Sequence, residues 1–378
     1  MQKNLKITMV TARYYPYLGG IEAHVREIGK RIVALGHHVT VITTDTSRRL
    51  PEREIDDGIN VKRVKAWPKN RDYYLSPQLY REITQTDCDI VHFQGWHTLV
   101  PLIGMLAAIR RGIPFVLTFH SGGHSSPLRN AIRGAQISIL KPLAARANRL
   151  IGVSESEAER FSQEMGLNRE QFVVVPPIGA SLPAPSKPPV VDPHLIVSLG
   201  RLEHYKGHHR AIEAFPALLK RVPDARLQII GFGPYESELR ALVDRLKLNH
   251  AISIVSIPGS EQQRLYDLLR SAGLVILLSE YEAYPAAVLE ALSAQRPVLV
   301  TDTSGLRELA QKGFCRSIAL RANAEMIADA IVEELAKGHQ PTAVTLPNWN
   351  ECTDQLLEVY QTVLDWNSGL PIDTHIVS

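Results

Sequence analysis

The sequence predicts an α/β protein of two doubly wound, Rossmann-like domains facing a cleft. Three observations carry this. Short β-branched runs alternate with amphipathic stretches, one proline-rich segment interrupts the alternation, and the alternation then restarts. At 378 residues the chain suits two domains, each long enough to bury a core.

The first strand is expected at Ile7–Thr11, and a helix at Ile21–Leu35 with Ile21, Val25, Ile28, Ile32 and Leu35 at steps of three and four. Further strands are expected at Val39–Thr43, Asn60–Val64, Ile90–Phe93, Phe115–Phe119, Leu150–Val153 and Phe172–Val175, with helices between most of them. Parallel strands joined by right-handed crossovers follow. Between Pro176 and Pro193 stand seven prolines, which suit neither a helix nor a central strand and so make a semi-rigid linker. Beyond it strands are expected at Leu195–Leu199, Leu227–Ile230, Ile252–Val255, Leu274–Leu278 and Val298–Val300. The domains thus run 1–175 and 194–348 around a linker at 176–193, followed by a helical stretch over 349–366 and a polar tail over 367–378.

Composition excludes several classes. Hydrophobic residues make up 45% and charged residues 21%, the mix of a globular chain. Cys88, Cys315 and Cys352 lie far apart, which argues against a disulfide framework or a structural zinc site. The amino terminus lacks the pattern of a secretory signal, and no window reaches the ~18 apolar residues of a membrane span. A cytoplasmic protein is expected, one able to sit peripherally at the inner face of the membrane. Residues 1–189 hold 25 basic and 16 acidic residues, while the remainder holds 17 and 23, so the basic front half suits anionic material. Nucleic acid is not an expected partner.

Three segments carry the candidate chemistry. Gly19-Gly20 opens the first helix, where a glycine turn and free N–H groups favour an anion, although a plain tight turn looks the same. It is neither a dinucleotide fingerprint nor a P-loop. Second, Gly200-Arg201-Leu202-Glu203-His204-Tyr205-Lys206-Gly207 follows the first strand of domain two. Two cations leaving a strand top can hold a diphosphate, against the commoner fate of a solvated pair. Third, Ser279-Glu280-Tyr281-Glu282-Ala283-Tyr284-Pro285-Ala286-Ala287-Val288-Leu289-Glu290 follows an apolar strand. Pro285 suits the first turn of a helix running to about Ala294, with Glu282 in the loop and Glu290 two turns in. Carboxylates there suit sugar and ribose hydroxyls beside helix N–H groups, against a plain solvated face.

In this order and spacing these segments resemble the retaining GT-B glycosyltransferases of family four, the glycogen-synthase-like group, over about residues 5–366. The resemblance implies that Arg201 and Lys206 hold the donor diphosphate, that Glu290 binds the ribose and that Glu282 meets the transferred hexose. It implies that Ala283, Tyr284, Pro285, Ala286, Ala287 and Val288 supply backbone donors and that Gly19 and Gly20 close over the donor. Thr118-Phe119-His120 matches the family and puts His120 at the donor sugar. Gly200 belongs to the diphosphate loop, and base recognition falls around Gly231-Phe232-Gly233 and Ile254–Ile257. The helix at Trp349–Trp366 crosses back to domain one. No cofactor is implied and no metal, since the two cations stand in its place. Three positions depart from the pattern: Pro177-Ile178-Gly179-Ala180 after the crossover, Gln295 where a glycine is usual, and a single glycine, Gly305, ahead of Glu308.

The implied activity is transfer of a hexose from a UDP- or GDP-sugar to a glycan or lipid-linked acceptor in envelope or exopolysaccharide synthesis. The alternatives are a GT-B sugar-nucleotide epimerase and a non-catalytic sugar-nucleotide-binding protein. His92 and His97 flank a strand end and are candidates for the acceptor side. Arg129 and Arg133 are too, within an acid-free run from Ile90 to Ser154. There Leu128, Ile132, Ala135, Ile139 and Leu143 share one helical face, while Ile137 and Leu140 fall on the polar side. Asp87-Cys88-Asp89 sits at the wrong end of a strand to bind a ligand, and His204, His208 and His209 read as surface histidines.

Overall fold

A computed structural model describes residues 4–17, 19–69, 74–121, 127–177, 182–185, 188–258, 261–338, 346 and 348–368, without the side chains of 127–133 and 367–368. The chain divides into two compact units. One comprises Met1–Ser121, Asn130–Ile178 and Trp349–Ser378, the other Gly122–Arg129 and Gly179–Asn348.

In the first unit the strands are β1 (Lys6–Thr11), β2 (His38–Asp45), β3 (Arg53–Asp56), β4 (Ile59–Lys65), β5 (Ile90–Gln94), β6 (Phe115–Thr118), β7 (Arg149–Gly152) and β8 (Phe172–Val174). Its helices are α1 (Gly20–Ala34), α2 (Pro77–Gln85), α3 (Leu99–Arg111), α4 (Pro127–Ala144) and α5 (Glu155–Met165). They build one sheet in the order β3-β4-β2-β1-β5-β6-β7-β8. All described pairs are parallel except β3 with β4. The hairpin strand β3 is absent from the sequence reading because its four residues, Arg-Glu-Ile-Asp, alternate charge at the sheet edge and carry no apolar run.

The second unit holds β9 (Asp192–Leu199), α6 (His208–Leu219), β10 (Arg226–Ile230), α7 (Glu236–Arg245), β11 (Ile252–Val255), α8 (Gln262–Ser271) and β12 (Ala272–Leu277). It continues with α9 (Ala286–Ser293), β13 (Val298–Thr301), α10 (Ser304–Gln311), β14 (Arg316–Ile318) and α11 (Ala324–Ala336). Its sheet runs β11-β10-β9-β12-β13-β14, all parallel. The central strand β9 begins inside the proline-rich segment, contrary to expectation. The reason is register: β10 first pairs at Leu195, so Pro193 lies where no neighbour on that side needs its missing N–H.

The closing helix α12 (Trp349–Ser368) packs in the first unit. Cys352, Leu356, Tyr360 and Val363 share a core with Val25, Ile28 and Ile32 of α1. In α4 the expected apolar face is met only in part: Leu143 packs partly buried against the core, Ala135 and Ile139 are exposed, and the side chains of Leu128 and Ile132 lie outside the described residues. Ile137, Leu140 and Ala144 are buried instead. The steps of three and four from 137 to 140 to 144 form the stripe that meets the sheet. Asp87 and Asp89 are structural, as read: Lys6 pairs with Asp87 at 2.5 Å, and its N–H donates to Asp89 at 2.7 Å.

Candidate functional site

In a doubly wound sheet, ligands bind beyond the carboxyl ends of the strands where the strand order reverses. In the second unit this crevice lies between β9 and β12, because β9 pairs with β10 on one side and β12 on the other. The segment after β9 carries Gly200 to Gly207, and the segment after β12 carries Ser279 to Pro285. Two glycines let these segments approach their neighbours. A Cβ on Gly207, at φ +73°, would lie 2.0 Å from the Leu278 carbonyl, and one on Gly231 would lie 1.8 Å from the Gly200 carbonyl. A Cβ on Gly233 would lie 2.4 Å from the Leu202 carbonyl. The structural reason for Gly231 and Gly233 is thus to seat the Gly200–Leu202 loop.

The cations here are ion-paired. Lys206 Nζ lies 2.6 Å from Glu282 Oε1, both side chains being mostly buried. Arg201, more than half exposed, pairs with the buried Glu203. Ser279 Oγ donates to Glu282 Oε1 at 2.8 Å, and the Glu282 N–H donates to Ser304 Oγ at 2.9 Å. The Gly305 N–H donates to the Glu282 carbonyl at 2.9 Å. Glu282 is therefore fixed from both backbone and side chain. Glu203, Ser279 and Ser304 were not assigned from sequence, although Glu203 lies within the quoted Arg201–Lys206 segment.

Helix α9 opens at Pro285, which caps the helix rather than entering its first turn, and Glu290 is its fifth residue, about one turn in. The Ala286 N–H is not free: it donates to the Tyr284 carbonyl at 3.1 Å. Burial pushes the Glu290 carboxyl up to about 7. Gln295 sits at left-handed backbone, φ +58°, as does Ser304, the residue before Gly305, at φ +39°; Ile178, Gly179 and Ala180 lie outside the described residues. His208 is not a surface histidine. It is buried, with Nδ1 2.8 Å from Ser198 Oγ and Nε2 3.2 Å from the Arg201 carbonyl, and burial pushes it down to about 4. His204 stacks on His209 with ring centroids 4.4 Å apart. Among the described residues no group of three or more His, Cys, Asp or Glu side chains could hold a metal ion.

In the first unit the reversal lies between β1 and β5. Beyond β1, Gly19 caps α1 in extended backbone, and both Gly19 and Gly20 are exposed. Nothing lies within 4 Å of a Cβ built on Gly20. Beyond β5 and β6 stands a group of imidazoles. His120, at φ +48°, places Nε2 2.6 Å from Gln94 Oε1. The exposed His97 approaches the His120 carbonyl at 3.3 Å, and the buried His24, which the sequence reading missed, meets the His120 ring edge-on at 4.9 Å. His92 corrects an expectation. It is fully buried between Tyr360 Oη at 2.5 Å and Thr118 Oγ1 at 2.7 Å, a core histidine that joins α12 to the sheet and not the wall of an acceptor pocket. Burial pushes His92 down to about 3 and His24 to about 4, and holds His120 well below its ordinary range. The side chains of Arg129 and Arg133 lie outside the described residues.

Each Rossmann-like unit thus carries a crevice at its strand-order reversal, one charged and one lined by imidazoles, an arrangement open to a nucleotide-sugar transferase. The comparisons agree. Residues 18–178 match Glycosyltransferase Family 4 and residues 184–344 match Glycosyl transferases group 1, so the chain belongs to the glycosyltransferases of the GT-B, family-four type. A glycogen synthase of Mycobacterium tuberculosis (strain ATCC 25618 / H37Rv) is 26% identical over 82% of this chain and 81% of its own length. A GDP-mannose:cellobiosyl-diphosphopolyprenol alpha-mannosyltransferase of Xanthomonas oryzae pv. oryzae (strain PXO99A) is 25% identical over 86% of both chains. The structure of Anabaena HepE in complex with UDP and glucose covers 95% of this chain and 100% of its own, at a TM-score of 0.70 and 18% identity, and shares the fold. The protein is a glycosyltransferase that uses a sugar donor.

Proposed function

We propose that the protein is a retaining, metal-independent hexosyltransferase. It moves a sugar from a nucleoside-diphosphate donor to a glycan or lipid-linked acceptor in envelope or exopolysaccharide synthesis. The observation that carries this is the placement of Arg201 and Lys206 on the loop after β9, at the strand-order reversal, with Glu282 fixed opposite Lys206. When the bond from sugar C1 to the diphosphate oxygen breaks, negative charge grows on the β-phosphate. Arg201 and Lys206 stabilise it where another enzyme would use a metal. The acceptor oxygen bonds to C1 on the same face, and its proton passes to the departing phosphate. Glu282 and Glu290 act as hydroxyl acceptors, on the hexose and the ribose, rather than as an opposed acid–base pair. HepE holds UDP and glucose on this fold, and the mannosyltransferase relative takes a polyprenol-linked acceptor by its name; both support the reading.

No described helix is long and apolar enough to cross a membrane. Peripheral contact with an anionic bilayer through the basic stretch from Ile90 to Ser154 is part of the proposal, and rests on that run holding no Asp or Glu. The test of function is incubation with a panel of nucleotide sugars, without acceptor, alongside thermal shifts with UDP, GDP and ADP. Slow donor hydrolysis and stabilisation by one diphosphate are expected. Epimerised sugar, or binding with no turnover on any donor, would overturn the transferase reading.

A further inference from the structure

We propose that Gln94 is a positioning residue that fixes His120 as the tautomer protonated on Nε2, so that Nδ1 presents a lone pair to a hydroxyl of the bound hexose. The hexose in this statement rests on the proposed function; the tautomer does not.

The geometry builds from the strand ends inward. Gln94 closes β5 between Thr11 of β1 and Thr118 of β6, and is almost fully buried. A buried amide has few orientations that satisfy both of its ends. Its Oε1 lies 2.6 Å from His120 Nε2, and its Nε2 lies 3.1 and 3.2 Å from the two ring nitrogens of His92. An amide oxygen only accepts, so the proton on this contact belongs to His120 Nε2. Tyr360 and Thr118 hold both ring nitrogens of His92, which fixes the ring that the Gln94 amide packs against. A chain of contacts thus runs from Tyr360 on α12 through His92 and Gln94 to His120.

The other nitrogen of His120 has no hydrogen-bond partner among the described residues. In a neutral ring protonated at Nε2, Nδ1 is an acceptor. The titratable groups acting on His120 are the imidazoles of His24, His92 and His97, and each disfavours a second proton. A sugar hydroxyl can then donate to Nδ1, while a charged or flipped ring would present N–H instead. His120 also sits at φ +48°, left-handed backbone that few non-glycine residues adopt.

The test needs no substrate for its first half. Two-bond proton–nitrogen correlation on histidine-labelled, ligand-free protein at pH 7.5 should show His120 protonated on Nε2 and bare on Nδ1; the opposite tautomer would overturn the proposal. Gln94→Met keeps the volume and removes the acceptor. It should mix the tautomers and lower kcat about tenfold, with the donor KM within about threefold. An unmixed Nε2–H tautomer in this variant would refute the assignment. Gln94→Glu keeps an acceptor and adds charge, so it should retain the Nε2–H tautomer and raise the His120 pKa. Activity should then hold at high pH and fall as pH drops through the new value. A pH-independent loss in Gln94→Glu would show a merely structural role. If Gln94→Met does not fold, Gln94→Glu carries the test alone. Failure of every donor to react would count against the transferase, and leave the tautomer signal readable.

Discussion

The two units place opposite chemistries at equivalent points of the same topology. Beyond β1, β5 and β6 stand His24, His97, His120 and the Gln94 amide, and desolvation pushes His24, His92 and His120 below the ordinary imidazole range. Beyond β9 and β12 stand two cations, each against a carboxylate. A strand-order reversal supplies an open crevice and oriented loops; the residues set there decide what it holds. Neutral, directional groups suit sugar hydroxyls, and cations at a strand top suit the diphosphate of the proposed donor.

The largest expected effect breaks the charged crevice. Arg201→Ala and Lys206→Ala should each lower turnover by about 10²-fold or more, measured as donor hydrolysis. Both should also lower the melting temperature, because each removes the cation facing a buried carboxylate, Glu203 for Arg201 and Glu282 for Lys206. Near-wild-type turnover in both would remove the diphosphate assignment.

Chelation separates cations from metal. Activity should survive EDTA, because the charge on the leaving group is met by Arg201 and Lys206; loss restored by magnesium or manganese would refute this.

Glu290 sharpens the comparison by pH. Its folded value of about 7 exceeds the ordinary carboxyl value of 4.5, so the folded state binds more protons between those limits. Stability contributed by this group therefore falls as pH rises through that window. Ribose binding needs the ionised acceptor, so donor affinity should rise as pH passes about 7. Glu290→Gln should flatten both trends, as followed by melting temperature and donor binding from pH 5 to 8.5.

The basic stretch from Ile90 to Ser154 should bring the protein down with anionic vesicles at low salt, and Arg129→Glu/Arg133→Glu should weaken this. A wild type that ignores such vesicles would favour a soluble acceptor. The smallest effect is on backbone: Gln295→Gly, at φ +58°, should be neutral to stabilising by ~1 kcal/mol in denaturant unfolding.

Much of this was legible in the sequence. The apolar strands and the Gly-Arg…Lys-Gly spacing announce sheet and loop directly, because burial and close backbone approach restrict which residues fit. What escaped is what depends on partners distant in sequence. His92 looks like a strand-end ligand until Tyr360, 268 residues away, is seen to cap it. In α4 the Ile137–Leu140–Ala144 stripe and the stripe through Ile139 and Leu143 are equally periodic, and only packing against the core buries the first more deeply. Charge-rich β3 and three-residue β14 are edge strands whose partners, not their composition, make them strands.

The central claim is that the crevice between β9 and β12 holds a diphosphate through Arg201 and Lys206. Calorimetric titration of wild type, Arg201→Ala and Lys206→Ala, each with a nucleoside diphosphate and the matching monophosphate, tests it most directly. The account predicts that wild type prefers the diphosphate, and that each substitution weakens diphosphate binding by about tenfold or more while monophosphate binding changes little. Equal affinity for the two nucleotides, or diphosphate binding unchanged in both variants, would contradict it.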